Sequence, residues 1–177
     1  MAPLELPGRS EAVAERMDAA PNSPDAIMLR AYRAGDANAM YALDLECFEA
    51  PFRISSRAMR QFAEESHAIV LLAEAHVGKN VPPRLAGFTI AHMEGQTAYI
   101  VTLDVAAPYR RRGLARRLME ETESRARAAG AQEVALHVYT GNAGAIAFYE
   151  SLGYNRVRLA ENFYARGAHG FVYRKKL

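Results

Sequence analysis

A basic turn near the middle of the chain has the residue types of an anion-binding site. It follows the strand-like run that ends at Val105, and a helix-like pattern begins within it. The first N–H groups of a helix have no intrahelical acceptors and carry partial positive charge from the helix dipole, so a phosphate fits there. Its residues are Arg110, Arg111, Arg112, Gly113, Ala115 and Arg116. The turn therefore predicts a phosphate site, although a solvated helix start would share this composition.

The composition indicates one globular domain and excludes several classes of protein. The chain has 177 residues, half of them apolar, which is enough for a single sizeable core. A formal net charge of only +2 does not favour a protein that coats nucleic acid. The single cysteine, Cys47, cannot form an internal disulfide, and no Cys/His spacing resembles a zinc site. Neither a membrane-spanning run nor a signal peptide is evident. We therefore predict a cytoplasmic protein without a metal, a membrane or a nucleic-acid partner.

The apolar periodicities predict an α/β fold after a flexible leader at residues 1–24. Residues 25–177 are expected to form one domain with a mixed, mostly antiparallel sheet of about seven strands and four helices. The predicted strands are 27–33, 67–76, 85–93, 98–105, 133–139, 154–160 and 168–175. The helices begin near Asp36, at Ser55 or Ser56, after the basic turn and at Asn142. A helix between the fourth and fifth strands makes that pair parallel.

Two motifs in this order resemble the GNAT superfamily of acetyl-CoA-dependent N-acetyltransferases. The turn Arg110-x-x-Gly113-x-Ala115 is similar to that family's (Gln/Arg)-x-x-Gly-x-(Gly/Ala) pyrophosphate loop. The segment that begins at Asn142 and contains Tyr149 is similar to its asparagine and tyrosine helix. The resemblance covers residues 25–177 and implies a GNAT fold whose parallel strands splay around acetyl-CoA.

A third motif, Asn162-Phe163-Tyr164, is similar to the Asn-Tyr-Tyr segment of the protein N-terminal acetyltransferase branch. That branch includes the RimI-type ribosomal-protein enzymes and the eukaryotic N-terminal enzymes. By this resemblance Phe163 and Tyr164 form one wall of a peptide groove, and Phe163 replaces a tyrosine. By the same resemblance, the opposite wall would be formed by Phe48, Pro51 and Phe52. Ordinary anchoring of loops is the alternative for all five residues.

The resemblance also implies how acetyl-CoA binds. The basic turn would hold the pyrophosphate through backbone N–H groups, and its arginines would add charge. The backbone of Leu103 and Val105 would pair with the pantetheine arm, and Asn142 would contact it from the other side. Tyr149 is the candidate acid for the departing thiolate. A phenol with a pKa near 10 protonates a thiolate near 8.5 at a cost of about 2 kcal/mol. The alternative role for Tyr149 is therefore to orient the sulfur by a hydrogen bond.

The acceptor chemistry needs a neutral amine and a group that takes its proton. A protein α-amine, with a pKa of about 7.7–8.0, is partly neutral at pH 7, whereas a lysine amine near 10.4 is almost wholly charged. In the eukaryotic enzymes that this segment resembles, His137 aligns with a catalytic histidine and Tyr99 with its tyrosine partner. The RimI type has glutamate at the position of His137, which favours the eukaryote-like arrangement here. Packing within the strands is the alternative for both side chains.

We therefore predict transfer of an acetyl group from acetyl-CoA to the N-terminal α-amine of a protein, for example a ribosomal protein. Attack would be direct, in a ternary complex, by a monomer or weak dimer without a metal. One alternative is a GNAT enzyme that acts on a small-molecule amine or a lysine side chain. Another is a non-catalytic acyl-CoA-binding module. A nucleic-acid site at arginines 110–117 is more distant, because few aromatic residues lie among them.

Overall fold

Seven strands form one mixed sheet in the computed structural model, which describes residues 26–78 and 80–177. The predicted leader, residues 1–24, lies outside the described residues. The strand order is β1-β2-β3-β4-β5-β7-β6, with only β4 and β5 parallel. The elements are β1 Ala26–Ala31, α1 Asp36–Cys47, α2 Ser56–Glu64, β2 Ala68–His76, β3 Arg84–Glu94, β4 Thr97–Val105, α3 Leu114–Ala128, β5 Glu133–Tyr139, α4 Ala143–Ser151, β6 Asn155–Ala165 and β7 Ala168–Lys176. This architecture confirms the predicted fold class.

The helices lie on opposite faces of the sheet and bury separate clusters. Helices α3 and α4 cover one face, where Met119 is fully buried and Ile146 packs against the cluster. Helices α1 and α2 cover the other face with Met40 and Met59, which are also fully buried. Burying each such side chain contributes about 1.5–3 kcal/mol, so both faces hold their helices firmly. No helix within the described ranges is both long enough and apolar enough to cross a membrane.

Strands β4 and β5 separate halfway along their length. Their parallel pairing runs from Thr97 opposite Glu133 to Ile100 opposite Leu136 and stops there. Beyond that point β4 stays paired with β3, and β5 stays paired with β7. The result is a wedge-shaped gap in the middle of the sheet. Because the unpaired backbone of each strand faces this gap, a ligand can bind there through main-chain hydrogen bonds.

A β-bulge in β4 changes which side chains face which helices. The pairing with β3 shifts at Val101, because Ile90 lies opposite Thr102 while Ala91 lies opposite Ile100. One extra residue in a strand reverses the alternation of side chains beyond it. Residues 102 and 104 therefore face α1 and α2, on the same side as Tyr99. Simple alternation would have placed them on the opposite side.

The close approach of β3 to β4 near this bulge depends on a glycine. Gly87 is the partner of Val105, and a Cβ atom at Gly87 would lie 2.7 Å from the carbonyl oxygen of Asp104. Real Cβ atoms do not approach a backbone oxygen that closely. The end of β4 is therefore positioned by a contact that only glycine permits.

Strand β6 is longer than predicted. The expected strand ended at residue 160, but β6 continues to Ala165. Its pairing with β7 shifts between Ala160 and Ala165, and Asn162 has a φ of 52°. The residues between these points form an irregular part of the strand, and Phe163 projects from it over β5. The longer strand brings the Asn-Phe-Tyr motif to the gap between β4 and β5.

Candidate active site

A cavity of about 800 Å³ occupies the gap between β4 and β5. Its lining comes from both faces of the sheet. Phe48, Phe52, Ile54 and Phe62 contribute from the α1–α2 side, and Asn142, Ala145 and Tyr149 contribute from the α4 side. A cavity that passes through a sheet allows two ligands to approach one point from opposite faces. Leu103, predicted to contact the pantetheine arm, also lines it, whereas Val105 and Pro51 do not.

The basic turn leads into α3 at one end of the gap. Arg111 and Gly113 have φ angles of 62° and 80°, and Gly113 is the N-cap of the helix. The first helical bond runs from the N–H of Arg117 to the carbonyl of Gly113 at 3.1 Å. The N–H groups of residues 114–116 therefore have no acceptor within the helix. Arg111 and Arg112 are exposed beside them, so the turn can bind an anion.

Arg110 contacts the protein itself. Its Nε donates to the carbonyl of Val105 at 2.8 Å, and its Nη2 donates to the Cys47 sulfur at 3.5 Å. The Cys47 thiol donates to the same carbonyl at 3.5 Å. These bonds link the end of α1 to the end of β4. The side chain of Arg116 is similarly engaged, since its Nη2 donates to the hydroxyl of Ser151 in α4 at 3.3 Å.

Two buried carboxyl groups lie beneath this end of β4, and sequence reasoning missed both. Asp44 in α1 and Asp104 in β4 are 0% and 1% exposed. Asp104 accepts a hydrogen bond from the Thr102 hydroxyl at 2.5 Å, and Asp44 accepts one from the N–H of Ile54 at 3.0 Å. Each keeps one oxygen without a partner among the described residues. Only the bulge in β4 places Asp104 on this face, so no sequence pattern indicated the pair.

Burial controls the protonation of these carboxyl groups. It raises the pKa of Asp104 to about 8, against the hydrogen bond from Thr102, and the nearby Asp44 raises it further. Burial also raises the pKa of Asp44, while the hydrogen bond from Ile54 opposes this rise. Asp104 is therefore mostly protonated at neutral pH.

Tyr99 and His137 are hydrogen-bonded to each other across the gap. The Tyr99 hydroxyl lies 2.8 Å from Nδ1 of His137. Phe163 stacks on one face of the imidazole, with ring centroids 3.7 Å apart and an interplanar angle of 3°. Together these two contacts hold the imidazole ring in a single orientation. The structure thus brings together three of the residues that the sequence singled out, while their roles remain predictions.

The electrostatics suit a neutral histidine beside a protonated phenol. Burial lowers the pKa of His137 below 6.5, and the positive charge of Arg158 lowers it further. Burial raises the pKa of Tyr99 well above 10, with smaller contributions from Tyr164 and Glu94. At neutral pH the imidazole is therefore free to accept a proton, and the phenol keeps its own.

Tyr149 reaches the cavity from α4. Its ring lies edge-on to Tyr154, at a centroid distance of 5.7 Å. Burial raises its pKa well above 10, with smaller contributions from Tyr164 and Asp104. Such a phenol is a weaker acid than free tyrosine, so its best chemical use is to donate a hydrogen bond without giving up the proton. Asn142 caps the same helix by accepting from the N–H of Ala145 at 3.0 Å.

Three aromatic rings cover the cavity on the α1–α2 side. Phe52 lies between α1 and α2, and its ring centroid is 4.7 Å from that of Tyr139 and 5.1 Å from that of Tyr164. Burial raises the pKa of Tyr164 to about 12. We call Phe52, Tyr139 and Tyr164 the aromatic roof. It joins the loop after α1 to β6 across the gap.

Several cavity residues were absent from the sequence-based set. Tyr139 stands two positions after His137, so strand alternation could have indicated that both face the same side. His92 is the β3 partner of Tyr99, and Glu94 follows on the same strand. The place of His92 and Glu94 in the cavity depends on the register between β3 and β4, which cannot be read from the sequence. Within residues 26–78 and 80–177, no group of three His, Cys, Asp or Glu side chains could hold a metal ion.

Two curated proteins match part of this chain in sequence. The ribosomal protein bS18-alanine N-acetyltransferase of Salmonella typhimurium is 36% identical over 81 residues, which cover 46% of this chain and 55% of that enzyme. The N-alpha-acetyltransferase MAK3 of Arabidopsis thaliana is 34% identical over 80 residues, which cover 45% of this chain and 42% of that protein. This chain spans about half the length of the curated relatives it matches.

A solved structure shares the fold over nearly its whole length. Arabidopsis thaliana NAA60, in complex with a bisubstrate analogue, superposes with a TM-score of 0.75 at 21% identity and covers 85% of this chain and 98% of NAA60. At that identity the likeness concerns the fold. The family match is more specific, because residues 37–154 contain both the basic turn and the helix with Tyr149. These residues make up two thirds of the protein, and on this evidence the chain belongs to the acetyltransferase (GNAT) family.

Proposed function

We propose that this protein transfers an acetyl group from acetyl-CoA to the N-terminal α-amine of a protein or peptide. The observation that carries the proposal is the Tyr99–His137 hydrogen bond in a cavity that is lined from both faces of the sheet. The donor would enter from the face that α3 and α4 cover, and the acceptor from the face that α1 and α2 cover. The two names found among the relatives, both N-terminal acetyltransferases, support the same acceptor.

The donor side fits acetyl-CoA. The free N–H groups at the start of α3, with Arg111 and Arg112 beside them, suit a pyrophosphate. Leu103 offers unpaired backbone to an amide-containing arm in the gap between the strands. Tyr149 lines the far side and keeps its proton, so it can donate a hydrogen bond to a thioester sulfur.

The proton of the attacking amine would pass to His137. When Nδ1 of His137 donates to the Tyr99 oxygen, Nε2 is the free basic nitrogen of the neutral imidazole. Because burial and Arg158 keep the imidazole neutral, this base is available through the physiological pH range. The hydrogen bond to Tyr99 and the stacking of Phe163 hold the imidazole ring in one orientation.

The aromatic roof supports an α-amine over a lysine in the middle of a chain. Phe52 and Tyr164 both line the cavity, and their ring centroids lie 5.1 Å apart, so the two rings narrow its acceptor side. We expect the end of a chain to enter this narrowed space, and the rings to obstruct a chain that continues in both directions. A free small amine can also enter, and it remains the second candidate class of acceptor.

The test is acetyl-CoA turnover, measured as release of free thiol in the presence of different acceptors. Peptides with a free N-terminus and no lysine should be acetylated, and mass spectrometry should place the acetyl group on the α-amine. The same peptides with a blocked N-terminus and one internal lysine should remain unmodified. Turnover of small amines alone would replace the peptide proposal, and no turnover with any amine would favour an acyl-CoA-binding module.

A cytoplasmic location and a monomer or weak dimer are part of the proposal. The single cysteine is compatible with a reducing compartment. Fractionation of cells that express the tagged protein tests the location, and analytical ultracentrifugation tests the oligomeric state.

A further inference from the structure

The cavity has one formally charged side chain among the described residues that line it, the carboxylate of Glu94. Glu94 ends β3 and is exposed, so it stands at the rim of the cavity. It has no ion-pair partner among the residues that the structure describes. An unpaired carboxylate at the rim of a cavity whose other side chains carry no formal charge is available for a ligand.

Glu94 lies on the acceptor side of the reacting groups. Its strand, β3, flanks β4 on the side away from β5, and His92 on β3 is the direct partner of Tyr99. The charge of Glu94 is close enough to raise the pKa of the Tyr99 phenol. His92 is committed elsewhere, because its Nε2 donates to the carbonyl of Phe62 at the end of α2 at 2.8 Å. Glu94 is therefore the carboxylate in the cavity lining that no contact within the described part of the chain occupies.

The other residues that line this side of the cavity suit the first residue of the acceptor, whereas the rim suits the second. Phe48, Ile54 and Phe62 form an apolar surface that suits an apolar or small first side chain. The chain must then leave the cavity over its rim, where the second side chain meets solvent and charge. Arg158, the cation that acts on His137, lies on β6 at the other side of the gap, whereas Glu94 places a negative charge on the β3 side of the rim.

We propose that Glu94 selects acceptors with a cationic second residue, arginine or lysine, through an ion pair at the rim of the cavity. This inference rests on the proposed function and names the class of N-terminus within it. A partly exposed ion pair changes an equilibrium by about 5-fold, and reversing the charge on the peptide adds a repulsion of similar size. Arginine at position two should therefore exceed glutamine by about 5-fold and glutamate by about 20-fold in kcat/KM.

The experiment compares peptides that differ only at position two. Two parallel series, one beginning with Ala and one with Met, carry Arg, Gln or Glu there and contain no lysine, so that the α-amine is the sole acceptor. The enzymes are the natural protein, Glu94→Gln, Glu94→Lys and the control Glu46→Gln, an exposed carboxylate on α1 that does not line the cavity. Ratios of kcat/KM within each enzyme cancel any general change in activity or folded fraction.

The natural protein and Glu46→Gln should show the same preference for arginine, weaker at high salt. Glu94→Gln should bring the three peptides within about 2-fold, and Glu94→Lys should prefer glutamate. Equal turnover of all three peptides by the natural protein would overturn this inference alone. An equal loss with all peptides in Glu94→Gln would also overturn it, because Glu94 would then act on the α-ammonium group. Absence of turnover with every peptide would overturn the proposed function as well.

Discussion

Two polar pairs on the same face of the sheet differ in how they are satisfied. Tyr99 and His137 hydrogen-bond to each other and line a cavity, whereas Asp44 and Asp104 are fully buried and each retains an oxygen without a partner in the described part of the chain. The first pair is only partly buried, so a change of protonation at His137 would cost little. The second pair can change its charge only at a large cost in desolvation. One pair is therefore suited to chemistry, and the other makes the stability of the fold depend on pH.

The largest expected effect tests the first pair. Replacing His137 by Ala removes the proposed base and should lower kcat by about 100-fold or more, since general-base catalysis contributes about 10²–10⁴-fold. His76→Ala, at the end of β2 and outside the cavity, is the control and should keep normal activity. Steady-state kinetics at pH 7.5 decide the point. Unchanged kcat in a folded His137→Ala protein would leave proton removal to water.

The second pair is tested by stability as a function of pH. Asp104 has a pKa raised to about 8 in the folded protein, so the folded state binds its proton more tightly than the unfolded state does. Its contribution to the free energy of unfolding is fully present below about pH 4 and is lost as pH rises through about 8. The loss is at most about 1.4 kcal/mol per pH unit. Asp104→Asn should reduce this fall and stabilise the protein most at pH 8.

Urea unfolding of both proteins between pH 5 and pH 8 measures the difference. Asp44→Asn, made in parallel, should reduce the fall with pH as well, because burial raises that pKa too. Parallel stability curves for Asp104→Asn and the natural protein would contradict the assignment of the proton to Asp104.

A smaller effect is expected when only the hydrogen bond between Tyr99 and His137 is removed. Tyr99→Phe removes the hydroxyl that lies 2.8 Å from Nδ1 of His137 but keeps the base itself. The loss of one hydrogen bond, about 1–1.5 kcal/mol, should lower kcat by about tenfold. Tyr41→Phe, in α1 and outside the cavity, provides the matched control. A loss as large as that of His137→Ala would mean that Tyr99 itself takes part in proton transfer.

The smallest effect concerns the electrostatic environment of His137. Arg158→Gln removes a cation that lowers the pKa of the imidazole, so this pKa should rise toward 6.5 while burial still holds it below. The acid limb of kcat/KM should move up by a fraction of a pH unit, because the protonated imidazole is inactive as a base. Arg156 lies on β6 as Arg158 does, but its guanidinium stacks over Phe171. Arg156→Gln should therefore leave the acid limb at the same pH. A shift in both variants would indicate a general effect of net charge.

The sequence predicted most of the fold because its patterns are local. The helix caps at Ser55 and Asn142 depend on the residues that immediately follow them, and both side chains accept the expected backbone N–H. The sequence patterns left Ser55 and Ser56 as alternatives, and the structure assigns the cap to Ser55. The predicted end of β6 was wrong, because the pairing of β6 with β7 resumes after an irregular segment that no local sequence pattern indicates.

The site was only partly predictable. The basic turn and Tyr149 were evident from motifs, since their chemistry depends on residues adjacent in sequence. His92, Glu94 and Tyr139 were missed, because a residue's place in the cavity depends on the register of its strand with the neighbouring strands. Arg110 was expected beside a phosphate, whereas its side chain bonds to the carbonyl of Val105, a partner that only the folded β4 brings within reach.

The sequence by itself determined the order of the elements and the position of the basic turn, and its resemblance to known enzymes indicated the tyrosine and histidine that meet at the gap. Only the tertiary structure decided which side chains share a face of β4. One extra residue at Val101 reverses the alternation, so that Tyr99 and Asp104, an odd number of positions apart, both face α1 and α2. The physical reason is that alternation is a property of the chain, whereas a bulge is a property of how two strands pair.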